Sequence, residues 1–168
     1  MNGKKTIDKN NPGVILVRLP GFKAVSTGYH AVAEEDNLWA LWSWMDQHKK
    51  LLPFGELKLQ GGLDFVLTKN GKVSMICAIK DTVTDAELAP YEMVELKGGL
   101  YATAISHEGY SDSLLNNEDV IMKWLEGSNF IYDHEREIMG ENINDDEEIF
   151  QGLGCYQFLK YVPVKLRT

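Results

Sequence analysis

The chain has 168 residues, the length of one domain or of two small modules packed as one. Its 44% hydrophobic, 25% charged and 10% aromatic content sits near the average for soluble globular proteins and excludes a disordered chain. Seventeen Lys and Arg against 25 Asp and Glu leave a formal charge of −8, which repels a phosphate backbone and argues against nucleic acid as a direct partner.

The first twelve residues are polar, with Lys4, Lys5 and Lys9 and no apolar stretch behind them, so a cytoplasmic location without a signal peptide is expected. The most apolar segment, Leu38 to Met45, is broken by Asp46, Gln47, His48, Lys49 and Lys50, well short of the roughly 18 residues a membrane span requires. No membrane partner is expected.

A repeat is visible along the chain. Val17-Arg18-Leu19-Pro20-Gly21-Phe22-Lys23-Ala24-Val25-Ser26 resembles Val94-Glu95-Leu96-Lys97-Gly98-Gly99-Leu100-Tyr101-Ala102-Thr103-Ala104, at an offset of 94 − 17 = 77 that becomes 78 after the extra glycine. Each copy reads as a short apolar run, a glycine turn that exploits positive φ, and a second run. The second runs alternate as half-buried strands do: Phe22, Ala24 and Ser26 oppose Val25 and Thr27, and Leu100, Ala102 and Ala104 oppose Tyr101, Thr103 and Ile105.

A helix follows in each copy. Asp36 or Asn37 can cap a segment carrying Leu38, Leu41, Trp42 and Met45 at helical spacing, widened by Trp39 and Trp44 and closed by Pro53 and Gly55. Ser111 or Ser113 can cap a second helix carrying Leu114, Ile121, Trp124 and Leu125 and ending at Gly127. Two strands then close each copy. Leu63 to Thr68 and Val73 to Lys80 flank the hairpin signal Asn70-Gly71; Tyr132 to Met139 and Cys155 to Lys165 flank an acidic loop with Asp145, Asp146, Glu147 and Glu148. Cys77 and Cys155 lie 155 − 77 = 78 residues apart, which would put two reduced thiols in one structural slot.

Strand, helix, strand, strand, twice over, predicts an α+β fold. Two such units pair antiparallel sheets about a pseudo-two-fold axis, stack both helices on one face and leave a ligand cleft between the repeats. A single domain spans 1–168, with repeat one at about 14–82 and repeat two at about 91–166.

The four histidines, His30, His48, His107 and His134, form no metal-ligand spacing with each other or with cysteine, and no glycine run makes a dinucleotide or phosphate cradle. No metal or cofactor is expected. No serine sits in a nucleophile elbow and neither cysteine adjoins an evident base. On a strand over Tyr132 to Met139, Glu135 and Glu137 would share one face and His134 and Arg136 the other. Three tryptophans within six positions exceed what one helix face needs to bury, so some are expected to border a cleft.

These features resemble the GyrI-like family, the small-molecule-binding fold found also as the effector-binding domain of AraC-type and MerR-type multidrug regulators. The resemblance runs from about Val14 to Lys165 and rests on Val94 to Ala102 leading to Ser106-His107-Glu108-Gly109, with Leu38-Trp39, Trp124-Leu125, Glu137-Ile138 and Tyr161-Val162-Pro163-Val164-Lys165. It implies a binding module for bulky apolar or cationic aromatic compounds, and with only about thirteen residues before the first strand a stand-alone form is expected rather than one joined to a DNA-binding domain. By the same resemblance the glutamate of the penultimate strand, Glu137, is the cleft's charged anchor, although Met139 stands where the family often has tyrosine. Trp39, Trp42, Tyr101, Trp124 and Tyr156 are the aromatic wall candidates. Some stand-alone relatives hydrolyse cyclopropane-bearing DNA-alkylating natural products, which would make Glu137 a general acid or base supported by Tyr101 or Tyr156. Others inhibit gyrase, which would make a protein the partner and the acidic surface a nucleic-acid mimic.

Overall fold

The computed structural model describes residues 13–31, 35–53, 64–106, 118–143, 147–155 and 157–167. Among them the chain forms ten strands and three α-helices, an α+β fold whose strand pairs are all antiparallel. The strands are β1 (Ile15–Leu19), β2 (Phe22–Ser26), β3 (His30–Ala31), β4 (Asp64–Lys69), β5 (Lys72–Ala78), β6 (Glu92–Leu96), β7 (Gly99–Ser106), β8 (Phe130–Tyr132), β9 (Ile138–Asn142) and β10 (Phe158–Leu166). The helices are α1 (Glu35–Gln47), α2 (Glu118–Gly127) and α3 (Glu147–Leu153).

The sheet order is β1-β7-β10-β9-β4-β5-β2-β6, with β3 added to β5 and β8 to β10. Outward from the central β9–β4 pair, β10 then β7 on one side answers β5 then β2 on the other. This is the pseudo-two-fold duplication read from the repeat. The hairpin between β4 and β5 turns at Asn70 and Gly71, both at positive φ as a tight two-residue turn requires.

Both long helices lie on one face. Leu38, Leu41 and Trp44 of α1 bury against Val25, Val73, Met75 and Cys77, and Ile121 and Leu125 of α2 against Ala102, Ala104, Val162 and Val164. Each fully buried aliphatic side chain contributes roughly 1.5–3 kcal/mol. The opposite face carries a third cluster, Ala24, Phe65, Leu67, Ile76, Tyr101, Met139 and Tyr161, drawn from both halves.

Several expectations change. The glycine segments at 20–21 and 97–98 are not hairpin turns. β1 pairs with β7 and β2 with β6, and the register runs through unbroken, since Leu19 faces Gly99 and Phe22 faces Leu96, three residues on along each strand. One long bent ribbon therefore joins the two ends of the sheet. Gly99 has positive φ, as expected, but neither Gly21 nor Gly98 does; the role of these two is close approach. A Cβ on Gly98 would overlap the Gly21 nitrogen and fall 2.9 Å from Leu19 O.

Asp36 and Asn37 lie inside α1 rather than capping it, and after Gln47 the chain continues into a 3₁₀ turn at Lys49–Leu51. The strand expected over Tyr132 to Met139 is two strands, β8 and β9, split by a turn at Asp133, whose carbonyl accepts from Arg136 N at 3.2 Å. Part of the expected acidic loop is helix: Glu147 and Glu148 open α3. Cys77 is in β5 while Cys155 precedes β10, so the two thiols do not share a slot; both are free. Gly55, His107, Ser111, Ser113, Leu114, Asp145, Asp146 and Tyr156 lie outside the described residues.

Candidate functional site

The helix-free face is the chemically distinctive one. Alternation along β9 turns Ile138 and Gly140 toward the helices and Met139 and Glu141 away from them. Glu141 is thereby buried, 6% exposed, on the face that carries Phe65, Tyr101, Met139 and Tyr161. Its Oε2 accepts a 2.6 Å hydrogen bond from the Tyr161 hydroxyl on the neighbouring strand β10. Phe65 and Tyr101 both stand edge-on to the Tyr161 ring, at 5.6 and 6.3 Å between centroids, and Phe22 packs on Phe65. Burial pushes the Glu141 carboxyl up to about 7; the Tyr161 bond opposes the rise and the charge of Asp64 adds to it. Burial, with the bond to Glu141, likewise pushes the Tyr161 phenol upward.

Glu137 sits just before β9, half-buried, at the end of this face. Its Oε1 accepts from Lys69 Nζ at 3.0 Å, in a pair whose partners are 54% and 38% exposed. Tyr29 is close by, its phenol pushed up to about 12 by burial and by the Glu137 charge.

Arg136 is pinned between these groups. Nε donates to Asp133 Oδ2 at 2.9 Å, and Nη2 donates to the carbonyls of Leu100 and Val164 at 2.9 and 3.0 Å. The guanidinium carbon lies 4.7 Å from the Tyr101 ring centre, within cation–π range. Burial works against the Asp133 carboxylate, but bonds from Arg136, the Glu135 N–H and Lys165 outweigh it and hold its carboxyl below the usual range.

A cavity of about 130 Å³ opens beside Arg136 and Glu137, lined by these two with Tyr101, Glu95, Leu96, Lys97 and Glu135. Three carboxylates against two cationic side chains give its wall a net negative charge, which favours a positively charged occupant. No group of three or more His, Cys, Asp or Glu among the described residues is placed to hold a metal ion.

Of the site residues expected from sequence, Glu137 and Tyr101 line this cavity together. Trp39, Trp42 and Trp124 are elsewhere. Trp42 packs on the α1 core and donates to Asp64 Oδ2 at 3.1 Å, with Trp39 against it at 4.6 Å between centroids; Trp124 stacks on Phe130 in the α2 core. All three are on the helix side. Tyr156 lies outside the described residues. Glu141, Tyr161, Arg136 and Lys69 were not expected at the site. The signal for Glu141 was the alternation Met139, Glu141, obscured by ending the strand at Met139.

The architecture defines a class: a duplicated antiparallel α+β domain with both long helices on one face and aromatic and acidic groups on the other. That arrangement is the GyrI-like fold. Among solved structures, the C-terminal domain of EcmrR superposes with a TM-score of 0.62 at 18% identity, covering 91% of this chain and 97% of that one. SAV2435 bound to tetraphenylphosphonium matches at 0.53 and 14% identity, covering 90% and 93%. A hydrolase from Listeria innocua matches at 0.62 and 12% identity, covering 91% and 92%. No protein-family model matches the chain, and no curated protein matches it by sequence.

Proposed function

We propose that this protein binds bulky, largely apolar, cationic small molecules, with Glu137 as the charged anchor and Tyr101 as the aromatic contact. The observation that carries this reading is the cavity shared by Tyr101 and the carboxylates Glu95, Glu135 and Glu137. A delocalised cation is attracted by those charges while its apolar body gains from leaving water beside the aromatic face. The neighbouring SAV2435 structure, which holds tetraphenylphosphonium, supports the same ligand class.

Calorimetric titration tests it with two ligands of similar bulk, tetraphenylphosphonium and neutral triphenylphosphine oxide. Glu137→Gln should weaken the cation about tenfold, equivalent to about 1.4 kcal/mol, and leave the neutral ligand nearly unchanged. Equal losses for both ligands contradict the charged anchor.

A second reading, hydrolysis, draws on the shared placement of Glu137 and Tyr101 and on the likeness to the Listeria innocua hydrolase. Glu137 would activate water or donate a proton, with Tyr101 beside it. Turnover of an electrophilic cyclopropane, lost in Glu137→Gln with binding retained, supports this reading; tight binding without product excludes it.

A further inference from the structure

The cavity that carries the binding function is small for a bulky occupant. It holds about 130 Å³, whereas pockets for drug-sized ligands run to about 300–1,000 Å³. A bulky cation therefore enters only if a wall moves, and the two sides of the cavity differ in how firmly they are held.

Tyr101 and residues 135–137 form the firm side. β7 is paired with β1 and with β10. Arg136 ties it further to β10 and to the β8–β9 turn through the carbonyls of Leu100 and Val164 and the carboxylate of Asp133. The guanidinium rests on Gly99, where a Cβ would overlap Nη1.

Residues 95–97 form the other side and belong to the end of β6 and the bend that follows it. β6 closes the sheet order and is paired with β2 alone among the described strands. Its pairing ends at Leu96 with Phe22, and the pairing of β7 with β1 begins at Gly99 with Leu19. Between those pairs Pro20 and Gly21 meet Lys97 and Gly98 in close backbone contact, and Pro20 has no N–H to donate. The underside of this crossing is apolar, since Leu19, Phe22 and Leu96 pack on the core shared by both halves. Such contacts are non-directional, and the apolar body of a ligand can replace them. What joins the crossing to the firm side is a hydrogen bond from the Tyr101 hydroxyl to the Lys97 carbonyl, at 3.3 Å long for its kind.

We infer that the crossing is a gate over the pocket: residues 95–98 lift together with Pro20 and Gly21 to admit a bulky ligand, and the Tyr101 hydroxyl is the latch that holds them down in the empty protein. This inference rests on the binding function proposed above and adds how the ligand enters. Tyr101 then has two parts to play, its ring touching the ligand and its hydroxyl keeping the empty pocket shut.

Tyr101→Phe separates the two, because it keeps the ring and removes the latch. Line-shape analysis of 15N NMR spectra during titration with tetraphenylphosphonium gives the association and dissociation rates of both forms. Losing one hydrogen bond of the closed state should raise the open fraction, and with it the association rate, about threefold. Dissociation should be unchanged, since the bound protein is already unlatched, whereas an altered ring contact would change dissociation instead. Amide exchange in the empty wild-type protein provides a second measurement: Lys97 and Gly98 should exchange at least about tenfold faster than Ala102 and Thr103 of β7. An unchanged association rate in Tyr101→Phe, an effect confined to dissociation, or equal exchange at the two segments overturns the gate and leaves the binding function standing. No binding of tetraphenylphosphonium by the wild-type protein overturns both.

Discussion

At the residue scale, the two glutamates on this face differ in what surrounds them. Glu137 shares its charge with Lys69 in a partly exposed pair, and such pairs contribute little to stability, about 0–1 kcal/mol. Lys69→Met should therefore leave the melting temperature nearly unchanged while tightening tetraphenylphosphonium several-fold, since it removes the cation that competes for Glu137; weaker binding in this variant would contradict that role. Glu141 affects stability in the opposite way. Its folded-state pKa, about 7, lies above the ordinary glutamate value of 4.5, so the folded chain holds the proton more tightly than the unfolded one. The carboxyl costs nothing below about pH 4.5, and the penalty grows as pH rises to about 7, reaching about 3 kcal/mol above it. Glu141→Gln should thus stabilise the protein at pH 8 by up to that amount and hardly at all at pH 4.5. Urea denaturation at the two pH values measures it; a pH-independent difference would contradict the burial account.

At the scale of elements, the bent ribbon is the feature that local pattern alone misread. The repeat and its two strand-like runs were legible, and so were the alternating faces of β2 and β7. A glycine between two apolar runs, however, suits a hairpin turn and a close crossing equally well, and only long-range pairing decides between them. The decision is recorded at the bend. Leu19 and Phe22 both point into the shared core although they are an odd number of residues apart, so the chain changes facing at Pro20–Gly21. The partner segment, Lys97–Gly98, lies against it closely enough to exclude a side chain at 98. Gly98→Ala should cost about 3 kcal/mol by forcing these backbones apart. Gly127→Ala, at the end of α2 with open space around it, should be neutral or slightly stabilising. Comparable losses at both positions in thermal unfolding would remove the close-approach argument. The split between β8 and β9 was hidden for a related reason: Asp133 and Arg136 make a turn through side-chain and backbone bonds that hydrophobic periodicity does not report.

At the scale of the whole molecule, the duplicated fold was legible because the order strand, helix, strand, strand recurs and the glycine segments that open each copy match at an offset of 77 to 78. The site was less so. Tryptophans at helical spacing suggested a cleft wall, yet Trp39, Trp42 and Trp124 serve the helix side of the sheet, while the aromatic groups near the cavity come from strands. Single aromatic residues on strands carry no pattern that separates them from core, so Tyr161 and Phe65 emerge only once β4, β9 and β10 are adjacent. The net charge of −8 argues against nucleic acid but does not locate a site, which takes the convergence of three carboxylates on one cavity beside Tyr101.

A crystal structure of the tetraphenylphosphonium complex tests that convergence most directly. The ligand is expected in the cavity bounded by Tyr101 and Glu137, with a phenyl group against the Tyr101 ring, the Glu137 carboxylate within about 6 Å of the phosphonium centre, and the Lys69 pair opened. A ligand seated instead on the helix side, against Trp39 and Trp42, would contradict it.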